Sequence, residues 1–235
     1  MRRRTMSGSS AHERRLRLRA AGRLGLRAAG RLRLRAAGRL RVASRHVQIK
    51  PLDRRSAASV TPRAPSASAL IASVLATPCL DTQFAPEPGN LEQVREATLC
   101  LINQERARND ELPLRLDARL EQAAQEHSED MFDEDYFAHV APNGETPLSR
   151  IRATGYIPNA QAGYTIGENI AWGTLYLATP AAITAAWIAS PEHLANILDA
   201  EYRDTAVGVY PAAPPSLANG QPGAVYTQEF GVIVG

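Results

Sequence analysis

Positive and negative charge are segregated along this chain, and the segregation limits which part of it can form a core. Residues 1–63 contain 18 arginines and one lysine against two acidic residues, a net charge of +17. The rest of the chain contains 8 arginines and 22 acidic residues, a net charge of −14. We therefore expect the folded part to be acidic, and an acidic domain is a poor partner for the phosphates of nucleic acids.

The basic end is also repetitive, since a unit close to L-R-L-R-A-A-G-R recurs every eight residues between residues 16 and 42. Such a unit is too short for a solenoid repeat, and the recurring glycines and like charges oppose packing. We expect residues 1–60 to be a disordered Arg-rich leader, or a segment that is never translated because the start codon is placed too far upstream. A basic arm for nucleic acid or anionic lipid is the functional alternative.

Residues 61–78 have the pattern of a secretory signal peptide. Arg63 precedes a short apolar run from Ala67 to Ala76, and small residues with Pro78 follow it. A hydrophobic linker is the alternative. No apolar run reaches the roughly 18 residues of a transmembrane candidate, so we expect no membrane-spanning helix. The candidate signal predicts a secreted, extracellular protein.

The two cysteines, Cys79 and Cys100, lie just behind this candidate signal. An even number of cysteines in a secreted chain predicts one disulfide, which ties the start of the mature chain to the first helix. Two free thiols are the alternative. Residues 79–90 are then an N-terminal linker, and residues 91–235 form the folded domain.

Helix signals come first and strand signals come last in the folded part. Capping residues and apolar periodicity predict five helices, which begin near Asn90, Asp117, Thr146, Thr179 and Ser190. β-Branched and aromatic residues predict strands in residues 164–173, 204–210 and 224–234. This order predicts an α+β fold in which helices cover an antiparallel sheet.

Three histidines and one glutamate of the folded part are candidates for chemistry. His127 lies on the apolar stripe of the second helix, which predicts a core residue with a satisfied hydrogen bond. His139 lies off any helical stripe, before a Pro-Asn-Gly turn, and is free to face a cleft. Glu168 lies between Gly167 and Asn169, where partial burial is expected to raise its pKa and suit it for general-base work. A buried glutamate that pins loop amides is the alternative for Glu168.

The third histidine is His193, and no sequential metal motif joins it to His139 and Glu168. Two imidazoles and a carboxylate can nevertheless hold zinc or another divalent metal and leave one position open for water. The same groups can also act without metal, as an acid–base cluster. Serine hydrolase chemistry is not indicated, because the chain has no G-x-S-x-G motif and Ser190 is expected to cap a helix.

Several motifs resemble, in the same order, those of the CAP superfamily, which includes cysteine-rich secretory proteins, insect venom antigen 5 proteins and plant pathogenesis-related proteins. The similarity is greatest to the compact bacterial secreted type and covers about residues 94–233, with the motifs "LINQERARNDELPLRLDARLEQAAQEHSEDM", "YFAHVAPNGETPLSRIRATGY", "GENIAWG", "AAWIASPEHLANIL", "AVGVY" and "YTQEFG". The resemblance implies a three-layer α-β-α sandwich with a mainly antiparallel central sheet and an extracellular location. It also implies a cleft around a His-Glu-Glu-His tetrad, which binds a divalent metal such as zinc in some members.

The resemblance assigns three members of this tetrad to His139, Glu168 and His193. In animal members the second glutamate lies three residues after a helical tryptophan, and here the residue three after Trp187 is Ser190. The tetrad therefore lacks one carboxylate at its usual place. Glu192 is a candidate replacement, although adjacent helical residues diverge by about 100° and do not easily face one cleft. The further cleft residues that we predict are Asn169, Ser190 and Glu192.

Two functions follow from this pattern. The first is a secreted domain whose His/Glu cleft binds a small molecule, lipid or peptide, with or without a divalent metal. The second is a metal-assisted, peptidase-like hydrolase that uses Glu168 as general base. We favour binding, because a catalytic base without its complete set of neighbours loses orientation and control of its pKa. No oligomeric state is predicted.

Overall fold

The structure, a computed structural model, describes residues 64–234 and the backbone of residues 27–36. The helices are α1 (Ala67–Ala76), α2 (Leu91–Arg108), α3 (Ala118–Asp133), α4 (Pro147–Ala153), α5 (Pro180–Ala189), α6 (Pro191–Ile197) and α7 (Pro215–Ala218), with a 3-10 turn at Leu175–Ala178. The strands are β1 (Arg27–Ala36), β2 (Arg115–Leu116), β3 (Gly163–Thr174), β4 (Asp204–Tyr210) and β5 (Gly223–Val234). Predictions for the other leader residues lie outside this described part.

The strands form one sheet in the order β1-β3-β5-β4-β2. β3 and β5 pair antiparallel along their whole length, and β5 pairs antiparallel with β4. The short β2 pairs parallel with β4, so the sheet is mixed rather than purely antiparallel. The predicted α+β class with a mainly antiparallel central sheet is confirmed.

Helices cover both faces of the sheet and form the outer layers of the predicted α-β-α sandwich. On one face, Trp187 of α5 and Ile102 of α2 pack with Tyr226 of β5. On the other face, Leu120 of α3 and Ile151 of α4 pack with residues of β3 and β4. Because successive strand residues point to opposite faces, each strand contributes to both layers of the core.

Capping residues start the helices that hold the site. Asp117 accepts a hydrogen bond from the backbone N–H of Arg119, and Thr179 accepts one from Ala182. Thr146 and Ser149 form a reciprocal capping box at the start of α4, with Pro147 at its first position. The three helix starts predicted at these caps are confirmed, and α4 in particular begins at a rigid position.

The predicted disulfide is present between Cys79 and Cys100, whose Cα atoms are 5.6 Å apart. It joins the segment after α1 to α2. The candidate signal residues Ala67–Ala76 form α1, which contacts α2 but buries none of its own side chains. No helix within residues 64–234 is long and apolar enough to cross a bilayer. The signal peptide itself stays a prediction.

One part of the leader differs from the expected disorder, because Arg27–Ala36 is the strand β1 and pairs antiparallel with the outer edge of β3. The physical reason is that a free strand edge presents backbone N–H and C=O groups, which another extended segment can satisfy whatever its side chains are. The division of the chain into leader, signal, linker and domain stays a prediction.

Candidate functional site

Glu168 lies at the centre of the sheet, and its side chain is fully buried on the face covered by α3 and α4. His139 Nδ1 lies 2.5 Å from its Oε1, and because an ionised carboxylate can only accept, the ring is the donor. Arg150 Nη2 donates to the other oxygen, Oε2, at 2.7 Å. Both oxygens of Glu168 are therefore engaged by cationic or polar donors.

Arg150 connects the parts of this cluster. It projects from the short helix α4, is buried, and also donates to the backbone carbonyl of His139 at 2.9 Å. One guanidinium thus holds both the loop that carries His139 and the strand residue Glu168. We did not predict Arg150 from the sequence. The signal was its position one residue before Ile151 and three after Pro147, on the face of α4 that is buried.

His127 borders the cluster from α3. The ring is fully buried, its Nε2 lies 3.9 Å from Glu168 Oε2, and its Nδ1 lies 3.3 Å from the hydroxyl of Tyr136, which is itself hydrogen-bonded to Asp130. Burial lowers the pKa of His127 to about 4, so the ring is neutral at neutral pH. The prediction that His127 is a buried core residue with a hydrogen bond is confirmed. Its ring also faces the carboxylate of Glu168.

Glu229 is a second carboxyl group of the cluster that the sequence analysis missed. It stands directly opposite Glu168 in the β3–β5 register and is fully buried. Among the described residues, no donor reaches either of its oxygens. Burial first, and then the charge of Glu168, raises the pKa of Glu229 well above its ordinary range. Two buried carboxylates side by side cannot both ionise, so Glu229 keeps its proton.

The pKa of Glu168 moves in the direction opposite to the one expected from the sequence. Burial by itself would raise this pKa, as predicted. The hydrogen bond from His139 and the positive charge of Arg150 outweigh burial and lower it below its ordinary value. At neutral pH Glu168 is a fixed anion, and it is a weak base because it accepts a proton only in acid.

His193 lies on α6, on the opposite side of the sheet from the Glu168 side chain. Its backbone carbonyl accepts from Asn169 Nδ2 at 3.2 Å, and the side chains of Asn169 and Glu168 point to opposite faces because the two are adjacent in β3. Asn196 of the same helix donates to Asn169 Oδ1 and to the Glu168 carbonyl. The structure thus joins His139 to Glu168 directly and His193 to Asn169.

Two other predicted cleft residues have different roles. Ser190 makes no side-chain cap bond to α6, contrary to expectation, because its hydroxyl is hydrogen-bonded to His193 Nδ1 at 2.6 Å. Glu192 is exposed whereas His193 is buried, as their divergence around the helix predicts. The carboxyl group next to Glu168 comes instead from Glu229, on a neighbouring strand.

The described residues do not fit a divalent cation in this arrangement. Residues 64–234 contain no group of three or more His, Cys, Asp or Glu side chains placed to hold a metal ion. The Arg150 guanidinium, 2.7 Å from Glu168, also repels a cation at that carboxylate. The metal site formed by His139, Glu168 and His193 stays a prediction, and no chemical step is derived through a metal.

Comparison with known proteins shows the family to which the chain belongs. The model of the cysteine-rich secretory protein family, CAP, matches residues 99–229, which is more than half of the chain. The chain belongs to this family. The matched range contains His127, His139, Arg150 and Glu168 and ends at Glu229. The buried cluster therefore lies wholly within the CAP domain.

Individual relatives are bacterial. The uncharacterized protein YkwD of Bacillus subtilis is 29% identical over 143 residues, which cover 61% of this chain and 49% of YkwD. An extracellular protein containing an SCP domain from Bacillus anthracis is 26% identical, with a TM-score of 0.46, over 62% of this chain and 43% of that one. An outer surface protein of Borrelia burgdorferi is 20% identical, with a TM-score of 0.43, over 57% of this chain and 87% of that one. The chain thus spans about half the length of YkwD.

Proposed function

We propose that this CAP domain is a secreted binding module that takes a small molecule, lipid or peptide beside the His139–Glu168 pair. The observation that supports binding most is the occupation of both Glu168 oxygens, by His139 and by Arg150. A carboxylate that is held this way orients its neighbours and keeps a fixed charge. Glu168 is fully buried and does not touch a ligand itself, but it fixes the partly exposed ring of His139 before a ligand arrives.

Hydrolysis is the second candidate. It is favoured by one observation, the 2.5 Å contact between His139 Nδ1 and Glu168, since a carboxylate that orients an imidazole is a common acid–base arrangement. Glu168 itself is a poor general base here, because its lowered pKa leaves it little tendency to take a proton at neutral pH. In a hydrolase of this geometry, His139 is the proton-transfer group and Glu168 orients it.

A decapeptide library distinguishes the two candidates. Full-length protein and a variant lacking residues 1–63 are immobilised and incubated with the library, and mass spectrometry then measures which peptides are retained and which are cut. We expect retained, intact peptides and weaker retention by His139→Ala. Vesicles of phosphatidylglycerol and phosphatidylcholine provide the lipid probe. Specific cleavage that is lost in both His139→Ala and Glu168→Gln would establish the hydrolase and contradict the binding proposal.

A further inference from the structure

We propose that the outer edge of β3 is a docking site for an extended basic peptide, and that Arg27–Ala36 of the leader occupies it in the full chain. This inference rests on the proposed binding function, because it names the ligand class and the surface that takes it. It assigns to the leader the role of an internal ligand, which blocks the edge until the leader is removed.

The register of β1 carries the first part of the inference. β1 runs antiparallel along β3 from a pair between Arg27 and Trp172 to a pair between Ala36 and Tyr164, with one irregularity on the way. Leu32 is the Cα partner of Glu168 in this register. The docked strand therefore passes one strand spacing, about 4.8 Å, from the residue at the centre of the candidate site.

The two edges of the remaining sheet, β3-β5-β4-β2, are unequal. At one edge, β2 pairs only with Asp204 and Thr205 of β4. Farther along β4, the Gln125 side chain of α3 donates to the Val209 carbonyl and accepts from its N–H, which helps to protect this edge from pairing with other chains. The edge at β3 is 12 residues long and its sequence, GYTIGENIAWGT, has no proline, lysine or arginine to discourage pairing. A long edge without these features is a template for another strand, whose addition satisfies its free backbone groups.

Charge selects the kind of segment that covers the edge. Residues 1–63, which include the leader, carry a net charge of +17, and the rest of the chain carries −14. Long-range attraction of this sign brings a basic segment to the acidic domain and disfavours an acidic one. The strand therefore supplies affinity through its backbone, and charge supplies selectivity among extended peptides.

The eight-residue repeat affects how the inference is tested. Residues 19–28 and 35–44 have sequences similar to that of residues 27–36, shifted by one repeat in either direction. An eight-residue shift is even, so it leaves each side chain on the same face of the sheet. A change in one repeat can therefore be compensated by the next, and the decisive variants must alter all repeats.

Hydrogen exchange of the full-length protein measures the occupancy of the edge. We compare the full-length protein with two variants. One lacks residues 16–42 and is otherwise complete, and the other is the triple variant Leu24→Pro/Leu32→Pro/Leu40→Pro, which keeps the length and charge of the leader. Every second amide of β3 points away from β5, and in both variants we expect these amides to exchange on the order of 100-fold faster. Deletion of residues 1–15, the matched control, should leave them unchanged. Protected β5 amides verify that each variant is folded.

A synthetic peptide then tests docking from solution. The peptide RAAGRLRLRA should bind the two variants, restore slow exchange at β3 and leave the full-length protein unaffected, because its edge is already covered. The same peptide with prolines at alternate positions should not bind, and an EAAGELELEA peptide should bind about tenfold or more weakly. Equal β3 exchange in all proteins, or a folded variant whose β3 is not protected by the basic peptide, overturns the inference. If other library peptides are retained in that case, the proposed function stands and only the β3-edge assignment fails.

Discussion

At the residue scale, the protonation states of the buried groups around Glu168 offset one another. At neutral pH the cluster contains one anion, Glu168, and one buried cation, Arg150, while His127 is neutral and Glu229 keeps its proton. The protonation of Glu168 and that of Glu229 depend on each other, and removal of Arg150 leaves the buried Glu168 carboxylate without its cation. Single substitutions are therefore informative about the whole cluster.

Replacement of Arg150 is expected to destabilise the fold strongly. Arg150→Met keeps the volume and apolar stem but leaves the Glu168 carboxylate buried without its cation, which costs about 3–5 kcal/mol of unfolding free energy. Urea denaturation monitored by circular dichroism measures this loss. Arg152→Met is the matched control, because Arg152 lies on the same helix and is exposed. A loss below about 1 kcal/mol for Arg150→Met would contradict a buried ion pair.

Glu229 is expected to make stability fall as the pH rises. Its pKa is raised above the ordinary value of 4.5, so the native protein keeps a proton that the unfolded chain releases above that pH. The stability that this proton contributes is complete below pH 4.5 and decreases by about 1.4 kcal/mol per pH unit above it, until Glu229 ionises in the native state. Glu229→Gln keeps the shape and a donor but does not titrate.

The measurement is the unfolding free energy of wild type and Glu229→Gln between about pH 5 and pH 8. We expect the unfolding free energy of the variant to increase steadily relative to that of wild type across this interval. Burial lowers the pKa of His127 to about 4, so its contribution is lost as the pH falls below 6.5, but this loss affects both proteins equally. Parallel curves for the two proteins would show that Glu229 is ionised in the native state.

At the scale of elements, local signals predicted where the helices and strands lie, but not which of the capping residues use their side chains as caps. Asp117, Thr146 and Thr179 cap the helices that they were predicted to start. Asn90 and Ser190 do not, because the Asn90 side chain bonds to Ala85 and Glu87 and the Ser190 hydroxyl bonds to His193. Side-chain hydrogen bonds of this kind compete with capping, and residue type alone does not show which of the two a side chain makes.

The contact between α3 and β4 depends on a glycine. A Cβ atom at Gly208 would lie 2.2–2.3 Å from backbone atoms of Ala124 and Gln125, which cannot move without displacing the helix. Gly208→Ala is therefore expected to lower the free energy of unfolding by about 1–3 kcal/mol, the usual range for overpacking. Gly89→Ala, where nothing lies within 4 Å, is the control. Equal midpoints of thermal unfolding for the two variants would refute this close contact.

The disulfide is expected to stabilise the start of the domain. Cys79 and Cys100 are 21 residues apart, and closing a loop of that length contributes about 3 kcal/mol in the chain-entropy description. In urea denaturation, the unfolding free energy of Cys79→Ser/Cys100→Ser should be lower than that of wild type by this amount. Wild type in the presence of reductant should be as stable as the double variant. A reductant effect on the double variant would mean that the loss has another origin.

For the whole molecule, the sequence predicted the class and layers of the fold but only part of the candidate site. The order of helices and strands is local information, and the family motifs added the position of Glu168 and His139. Arg150 and Glu229 were missed because they contact Glu168 from positions 18 and 61 residues away in the chain. The hydrophobic clusters among the described residues lie between Leu91 and Ile233, so the predicted folded domain contains its own core.

The unequal edges of the sheet also limit how copies of this domain can associate. β2 and the Gln125 side chain protect one side of the sheet, so the long edge for strand addition is that of β3, in a chain whose leader does not occupy it. Two molecules that met through their β3 edges would form one continuous sheet with a β2 at each end, and a two-fold pair of this kind leaves no free long edge for a third copy. Edge-to-edge assembly of this protein would thus stop at a dimer instead of growing into a fibre.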